Sequence, residues 1–233
     1  DPAWVRVDVL HTWEGPLGQG SLVAAGLDQY ETFVTARWQD GTWVSLEGTF
    51  DLPAQVLTTW HDSLFVGGEF TSPIARLGRW NGSFWEAADQ GLIAAGVNDL
   101  ESFDGSLYGA TSAAVASPSQ GGAIYRRDGG SWTYLVDTIN EAALTTVQKL
   151  ATHAGALYAL VSTGQDSYVA RLEETTLVPV GRADSGYMVD LASDGARLYL
   201  IGTFDGIDGV AAARVAAWDG STWHALGSGL AGS

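Results

Sequence analysis

The chain has 233 residues, a formal net charge of −16 and no cysteine. The missing cysteines exclude disulfides, thiolate metal sites and cysteine nucleophiles. The acidity disfavours binding to nucleic-acid phosphates and to anionic membrane surfaces. Hydrophobic residues make up 46% of the chain, which argues against disorder. No apolar run approaches the length of about 18 residues that a membrane-spanning helix needs.

A six-residue frame recurs along the chain at intervals of about 45 residues, a period typical of propeller blades. Each frame begins and ends with a large residue, and four of the five copies contain Asn-Gly or Asp-Gly, which favours a tight hairpin. The copies are Trp38–Trp43, Trp80–Trp85, Arg127–Trp132, Leu172–Leu177 and Trp218–Trp223. A second marker, a leucine followed by Phe, Tyr or Val, runs in step with the frame at Leu22, Leu64, Leu107, Leu157 and Leu198.

These markers predict an all-β fold, a five-bladed β-propeller of four-stranded antiparallel blades in a single domain, residues 1–233. The blades are predicted at 9–47, 54–89, 97–136, 147–180 and 187–226. A four-stranded sheet with two apolar faces cannot bury both alone, and stacking such sheets around an axis buries them. The tryptophans of the frame are expected on the two outer strands, wedged between neighbouring blades.

The two ends of the chain leave two interpretations open. Residues 4–8, Trp-Val-Arg-Val-Asp, resemble residues 43–47, Trp-Val-Ser-Leu-Glu, and this likeness indicates a sixth outer-strand copy before the first unit. In one interpretation this strand latches onto the last blade and closes a five-bladed ring. In the other, the chain is a segment of a larger protein. We favour the ring.

Residues 64–71, Leu-Phe-Val-Gly-Gly-Glu-Phe-Thr, and residues 218–230, which begin Trp-Asp-Gly-Ser-Thr-Trp, carry a family resemblance. They resemble the kelch-like, galactose-oxidase-type propeller repeats of bacterial secreted proteins. The resemblance implies secretion and a modular or adhesive context, and it implies no reaction. The copper chemistry of galactose oxidase needs a cysteine-linked tyrosine, which this chain cannot form. The blade number is similar to that of tachylectin-type lectins, although no sugar-binding signature matches.

The repeat register places polar residues near the propeller axis. Upstream of the second marker, each innermost strand carries a further leucine, at Leu10, Leu57, Leu100, Leu150 and Leu191. The residues directly before these leucines are Val9, Val56, Asp99, Lys149 and Asp190. Glu101 shares a strand face with Asp99. Asp99, Glu101, Lys149 and Asp190 therefore form either a ligand-binding site at the channel mouth or a structural ion-paired cluster, since buried charges are usually paired.

Metal and cofactor signals are weak. The four histidines lack the spacing of a zinc site. Asp205 and Asp208 could contribute oxygens to calcium, but calcium needs six to eight ligands and Asp-Gly is also a common turn pair. We expect no metal and no cofactor.

Without a catalytic motif, we expect a non-enzymatic interaction or structural domain, secreted or at the cell surface, that binds a protein or glycan partner. One alternative is a lectin-like propeller. Another is a polysaccharide-active glycosidase, which needs two carboxylates at a defined separation; Asp99, Glu101 and Asp190 are the candidates.

Overall fold

The computed structural model describes residues 3–14, 20–92, 96–112 and 121–230, and all the regular structure in these ranges is β. The strands form five four-stranded sheets and two short hairpins. In the same ranges, no helix is long and apolar enough to cross a membrane.

The five sheets follow one another along the chain. The first sheet contains β1 (Trp4–Glu14), β2 (Gly20–Asp28), β3 (Phe33–Gln39) and β4 (Thr42–Phe50), and the second contains β5 (Ala54–Trp60), β6 (Ser63–Gly68), β7 (Leu77–Trp80) and β8 (Trp85–Ala87). The third contains β9 (Val97–Phe103), β10 (Ser106–Thr111), β11 (Ile124–Arg127) and β12 (Trp132–Val136), followed by a hairpin of β13 (Thr138–Ile139) and β14 (Ala142–Ala143). The fourth contains β15 (Thr146–His153), β16 (Ala156–Ser162), β17 (Ser167–Glu173) and β18 (Thr176–Arg182). The fifth contains β19 (Met188–Ser193), β20 (Leu198–Gly202), β23 (Val215–Trp218) and β24 (Trp223–Ala225). Between β20 and β23 the chain forms a separate hairpin of β21 (Gly206–Ile207) and β22 (Val210–Ala211).

The prediction of an all-β chain built from four-stranded antiparallel sheets is confirmed. Each sheet falls on one predicted unit, and the strand that opens the unit lies at one edge of its sheet. The number of blades that surround the axis stays a prediction.

The N-terminal segment differs from its prediction. Residues 4–14 form one continuous strand, β1, which pairs with β2 of the first sheet from Trp4 opposite Asp28 to Glu14 opposite Gly20. The Trp4 ring packs edge-on against Trp43 of the same sheet at 5.8 Å. The fifth sheet draws its four strands from residues 188–225. The predicted outer-strand copy at residues 4–8 is therefore an extension of the innermost strand of the first sheet, and its latch onto the last blade stays a prediction.

By its internal contacts the chain divides into two compact units. One comprises residues 1–109 and 126–133, and the other comprises residues 110–125 and 134–233. The core of the first unit includes Leu57, Leu64, Val66, Phe70 and Trp85. The core of the second includes Leu160, Leu198, Leu200, Phe204 and Trp223.

The frame is the hairpin between the two outer strands. Its terminal residues are cross-strand partners, as shown by Trp80 opposite Trp85 and Trp218 opposite Trp223. The two rings of each of these pairs lie 5.4 Å apart. In the second sheet the Asn81 side-chain oxygen accepts the backbone N–H groups of Ser83 and Phe84. This Asx turn fixes the hairpin, so the predicted turn chemistry is confirmed in its geometry.

Arginine replaces tryptophan at the start of the third frame. The Arg127 guanidinium lies 5.9 Å from the centre of the Trp132 ring, within cation–π range. Arg127 also donates to the backbone oxygens of Ala88 (2.6 Å) and Gly129 (2.7 Å). The guanidinium therefore retains the ring contact of the frame and adds two charge-assisted hydrogen bonds.

The second large residue of the frame joins its sheet to the preceding one. Trp85 donates its indole N–H to Thr35 Oγ1 at 3.2 Å, and Trp132 donates to the backbone oxygen of Ala88 at 2.9 Å. In the second unit, Trp223 donates to the backbone oxygen of Val180 at 2.7 Å. These three indoles are at most 5% exposed, so each supplies apolar area and a satisfied polar group at the same junction.

A second set of contacts runs in the opposite direction, from the end of an innermost strand to the following sheet. Trp13 donates its indole N–H to the backbone oxygen of Asp62 at 3.2 Å, and Trp60 donates to that of Gly105 at 3.0 Å. In the second unit, buried His153 lies 3.0 Å from Ser193 Oγ through its Nδ1. Within each unit, consecutive sheets are thus held by polar contacts at both inner and outer strands.

Candidate functional site

A β-bulge marks the predicted axial positions. The pairing register shifts between Val7 and Val9 on β1, and between Ala54 and Val56 on β5. The same shift occurs before Lys149 on β15 and before Asp190 on β19. Bulges of this kind redirect side chains at strand ends. These four positions are therefore equivalent in the backbone as well as in the sequence.

The four predicted ligand-binding residues are distributed over both units. Asp99, which is buried, and Glu101 lie on β9 in the first unit. Lys149 and Asp190 lie on β15 and β19 in the second. The Asp190 carboxylate accepts the N–H of Leu191 at 2.9 Å. Their assembly into one ligand site stays a prediction.

The two candidate calcium ligands lie at the β21–β22 hairpin and take part in local hydrogen bonds. Asp208 Oδ1 accepts the backbone N–H of Arg182 at 3.0 Å, and Asp205 Oδ2 accepts the Ser185 hydroxyl at 3.2 Å. Across the described ranges, no group of three or more His, Cys, Asp or Glu side chains is arranged to hold a metal ion.

His224, Thr222 and Asp219 lie together at the last frame but do not have the geometry of a catalytic triad. The His224 Nε2 atom lies 2.6 Å from Asp219 Oδ2 and 3.1 Å from Thr222 Oγ1. A triad requires the acid and the nucleophile on opposite ring nitrogens. The hydrogen bond from His224, with those from Thr222 and Ser221, lowers the pKa of Asp219. These three side chains therefore stabilise the turn of the last frame.

A groove in the first unit is a concave feature that the sequence analysis did not predict. It lies between the first two sheets and passes over the hairpin that begins at Trp80. Its outer pocket, of about 330 Å³, is lined by Arg37, Val44, Ser45, Leu46, Glu47, Trp80, Gly82 and Ser83. Its inner pocket, of about 240 Å³, is lined by Trp13, Asp62, Ser63, Arg79, Trp80, Asn81 and Gly82. We call the two pockets together the Trp80 groove.

The polar groups of the inner pocket are held in place by one another. Arg79 forms an ion pair with Glu86 at 3.0 Å, and the Asn81 amide donates to the same carboxylate at 2.8 Å. The hydrogen bond from Asn81, followed by that from Arg79, lowers the pKa of Glu86. These contacts hold the Trp80–Gly82 segment, which lines both pockets, in place.

Arg37 is the unusual residue of the outer pocket. An arginine precedes the frame in four of its five copies, at Arg37, Arg79, Arg126 and Arg171. Arg79, Arg126 and Arg171 form ion pairs with Glu86, Asp128 and Glu173, respectively. The cross-strand partner of Arg37 is instead Val44, and its buried Nε has no hydrogen-bond partner among the described residues.

The sequence alone distinguishes Arg37 from the arginines that precede the other frames. Across the frame hairpin, the position that holds Glu86 in the second sheet holds Val44 in the first sheet. Two residues after the arginine, the position that holds Asp128 or Glu173 holds Gln39. Comparing the repeats at these two positions identifies Arg37 as the arginine that lacks a carboxylate at both.

Comparison with known proteins relates the fold of this chain to solved structures. No protein-family model and no curated protein match the chain. Among solved structures, the β-propeller domain of the trilobed protease from Pyrococcus furiosus matches with a TM-score of 0.60 and 12% identity, over 94% of this chain and 66% of that one. YCF48 bound to a D1 peptide matches with a TM-score of 0.56 and 17% identity, over 96% and 74%. Acylaminoacyl peptidase from Pyrococcus horikoshii matches with a TM-score of 0.58 and 14% identity, over 94% and 37%.

The chain is a β-propeller protein by its four-stranded sheets and its structural neighbours. It spans 66% of the first neighbour and 37% of the peptidase. At these identities the likeness defines the fold alone, because one fold hosts many functions.

Proposed function

We propose that this chain is a non-enzymatic binding module of a secreted or cell-surface protein, and that it binds its partner in the Trp80 groove. The observation that carries the proposal is the groove itself. It is lined by apolar side chains and by a few polar groups, as ligand sites usually are. Its outer pocket is open at Arg37, a strong donor with no acceptor for its Nε among the described residues.

We propose further that the five sheets are the blades of one five-bladed domain of the kelch-like kind. The support is the frame, which recurs at a propeller period, and the repeated indole contacts between consecutive sheets within each unit. The resemblance of residues 64–71 and 218–230 to repeats of bacterial secreted proteins supports the location. Asp99, Glu101, Lys149 and Asp190 remain a candidate second contact region.

Fractionation of the parent cells tests the location. An antibody raised against this chain should detect the parent protein in the culture medium or on intact cells. Its exclusive recovery in the cytosolic fraction, beside a cytosolic marker, would contradict the proposed location.

Two carboxylate variants test the absence of catalysis. Asp99→Asn and Asp190→Asn remove the carboxylates that a glycosidase would use. We expect the unmodified chain to release no reducing sugar from soluble polysaccharides. A release that both variants abolish would show that the protein is an enzyme.

A further inference from the structure

We propose that the outer pocket of the Trp80 groove binds a neutral saccharide through Arg37 and Glu47. This inference rests on the proposed function and specifies the ligand of the same groove. It begins from the donor and acceptor groups that line the pocket. Arg37 supplies only donors, Glu47 supplies only acceptors, and Ser83 supplies both. Adjacent hydroxyl groups on a sugar ring can satisfy all three.

The charge of the pocket favours a neutral ligand. The formal charges of Arg37 and Glu47 cancel, while the whole chain carries −16. An anion would gain from Arg37 but would meet both Glu47 and the surrounding negative potential. A cation would gain from Glu47 but would leave Arg37 without an acceptor. A hydroxyl-rich ligand uses both side chains without introducing a charge.

The walls of the pocket suit the apolar face of a sugar ring. Val44, Leu46 and Trp80 line it beside the polar groups. Most small-molecule sites combine such walls with a few placed polar groups that fix orientation. Val44 is the exposed apolar side chain among them, so the ring's C–H face can lie against Val44 while its hydroxyls reach Arg37 and Glu47.

The guanidinium of Arg37, which lacks the carboxylate partner of its equivalents, gives the strongest support. Arg37 Nε is shielded from solvent and has no partner among the described residues, although buried polar groups normally have one. The equivalent Arg79, Arg126 and Arg171 are satisfied by carboxylates. Because the Nε atom itself is shielded, a ligand oxygen in the pocket would accept from the terminal nitrogens of the Arg37 guanidinium.

The groove has room for more than one sugar unit. The inner pocket continues past Trp80 and presents Asp62, Ser63 and Asn81. A disaccharide that crosses the Trp80–Gly82 hairpin would contact both pockets. We therefore expect a disaccharide to bind more tightly than its constituent monosaccharide.

The test is a titration of the isotopically labelled full chain, followed by NMR at the Arg37 Nε–H and the Trp80 indole N–H. The probes are maltose, cellobiose, lactose and diacetylchitobiose, with glucuronic acid and glucosamine as charged counterparts. We expect at least one neutral disaccharide to shift both resonances saturably, and both charged sugars to bind more weakly. Arg37→Met should weaken binding by about tenfold or more, because a charge-assisted hydrogen bond is lost. Arg171→Met, at the equivalent position of the fourth sheet, is the matched control and should leave binding unchanged.

The outcomes separate this inference from the proposed function. An extended Thr-Val repeat peptide, which could pair with the free edge of β4, is titrated in parallel. If the peptide shifts the two resonances and no sugar does, the saccharide assignment is overturned while the groove stands as the binding surface. If a charged sugar binds more tightly than every neutral one, the neutrality argument fails. If neither the sugars nor the peptide shift the two resonances, the saccharide assignment is again overturned. The cell fractionation tests the proposed location independently of this result.

Discussion

Arg37 on β3 lies opposite Val44 on β4, at the position where the second sheet pairs Arg79 with Glu86. The second sheet therefore has a carboxylate opposite its arginine, whereas the first sheet has a valine at the same position. Because the backbone register is the same in both hairpins, the difference is a property of one side chain. One substitution at Val44 can therefore place a carboxylate opposite Arg37.

Val44→Glu should give Arg37 the carboxylate that it lacks. We expect a change in unfolding free energy of no more than about 1 kcal/mol, because exposed ion pairs contribute little. Saccharide binding in the outer pocket should fall sharply, since the new carboxylate occupies the Arg37 donors. Chemical denaturation and the sugar titration measure the two effects. Val44→Gln is the control, and binding by Val44→Glu as tight as that of the unmodified chain would contradict the role of Arg37.

The hydrogen bond between Trp85 and Thr35 should couple the first two sheets energetically. Trp85→Phe and Thr35→Val each remove one partner of the 3.2 Å bond. A double-mutant cycle should give a coupling of about 0.5–1.5 kcal/mol, the usual net worth of such a bond. Trp38→Phe is the control, because Trp38 is 43% exposed, and it should change stability by less than about 0.5 kcal/mol. A coupling indistinguishable from zero would refute the contact.

His11 should make stability depend on pH. Its Nε2 lies 2.8 Å from Thr59 Oγ1, and burial lowers its pKa from the ordinary value of 6.5. The folded state therefore favours the neutral ring, so the unfolded chain binds more protons as the pH falls through 6.5. The stabilisation is complete above that pH, declines below it and levels off below the folded pKa.

Urea denaturation at pH 8 and pH 5 measures this dependence. His11→Asn should reduce the difference between the two pH values, whereas His61→Asn, at an exposed histidine, should leave the His11 contribution in place. An unchanged difference in His11→Asn would show that His11 does not carry it.

Gly91→Ala should be strongly destabilising. Gly91 has a φ of +88°, and a Cβ there would lie 2.5 Å from the backbone oxygen of Trp132. Gly220→Ala is the matched control, because Gly220 has a φ of +98° and open space around it. We expect a loss of about 1 kcal/mol for the control, from backbone strain alone, and about 3 kcal/mol for Gly91→Ala. Equal melting temperatures for the two variants would mean that the close approach to Trp132 is absent.

The sequence predicts the sheets well because their signals are local and repeated. The Trp80–Trp85 frame combines a turn dipeptide with two flanking aromatics, and this combination determines a hairpin without reference to the rest of the chain. Its recurrence at a regular interval places the other sheets, including the fourth, whose frame at Leu172–Leu177 has no aromatic residue. The strand at residues 4–8 was misassigned because Trp4-Val resembles Trp43-Val, and two edge strands of one sheet share the same apolar pattern.

The candidate site was less accessible to sequence reasoning. The groove forms where β4 of one sheet faces the Trp80 hairpin of the next, so its members are distant in sequence. Only the missing carboxylate opposite Arg37 is visible in the repeat. The bulges before Val9 and Val56 were also not predicted, since a bulge changes the register of pairing without requiring a particular residue type.

Hydrogen exchange at the indole N–H groups tests the central claim, that consecutive sheets within each unit are joined by tryptophan hydrogen bonds. Each of the ten tryptophans contributes one indole N–H group to the NMR spectrum. We predict slow exchange for the five indoles that donate to a neighbouring sheet, which are Trp13, Trp60, Trp85, Trp132 and Trp223. We predict fast exchange for exposed Trp38. Exchange of those five at the rate of Trp38 would contradict the claim.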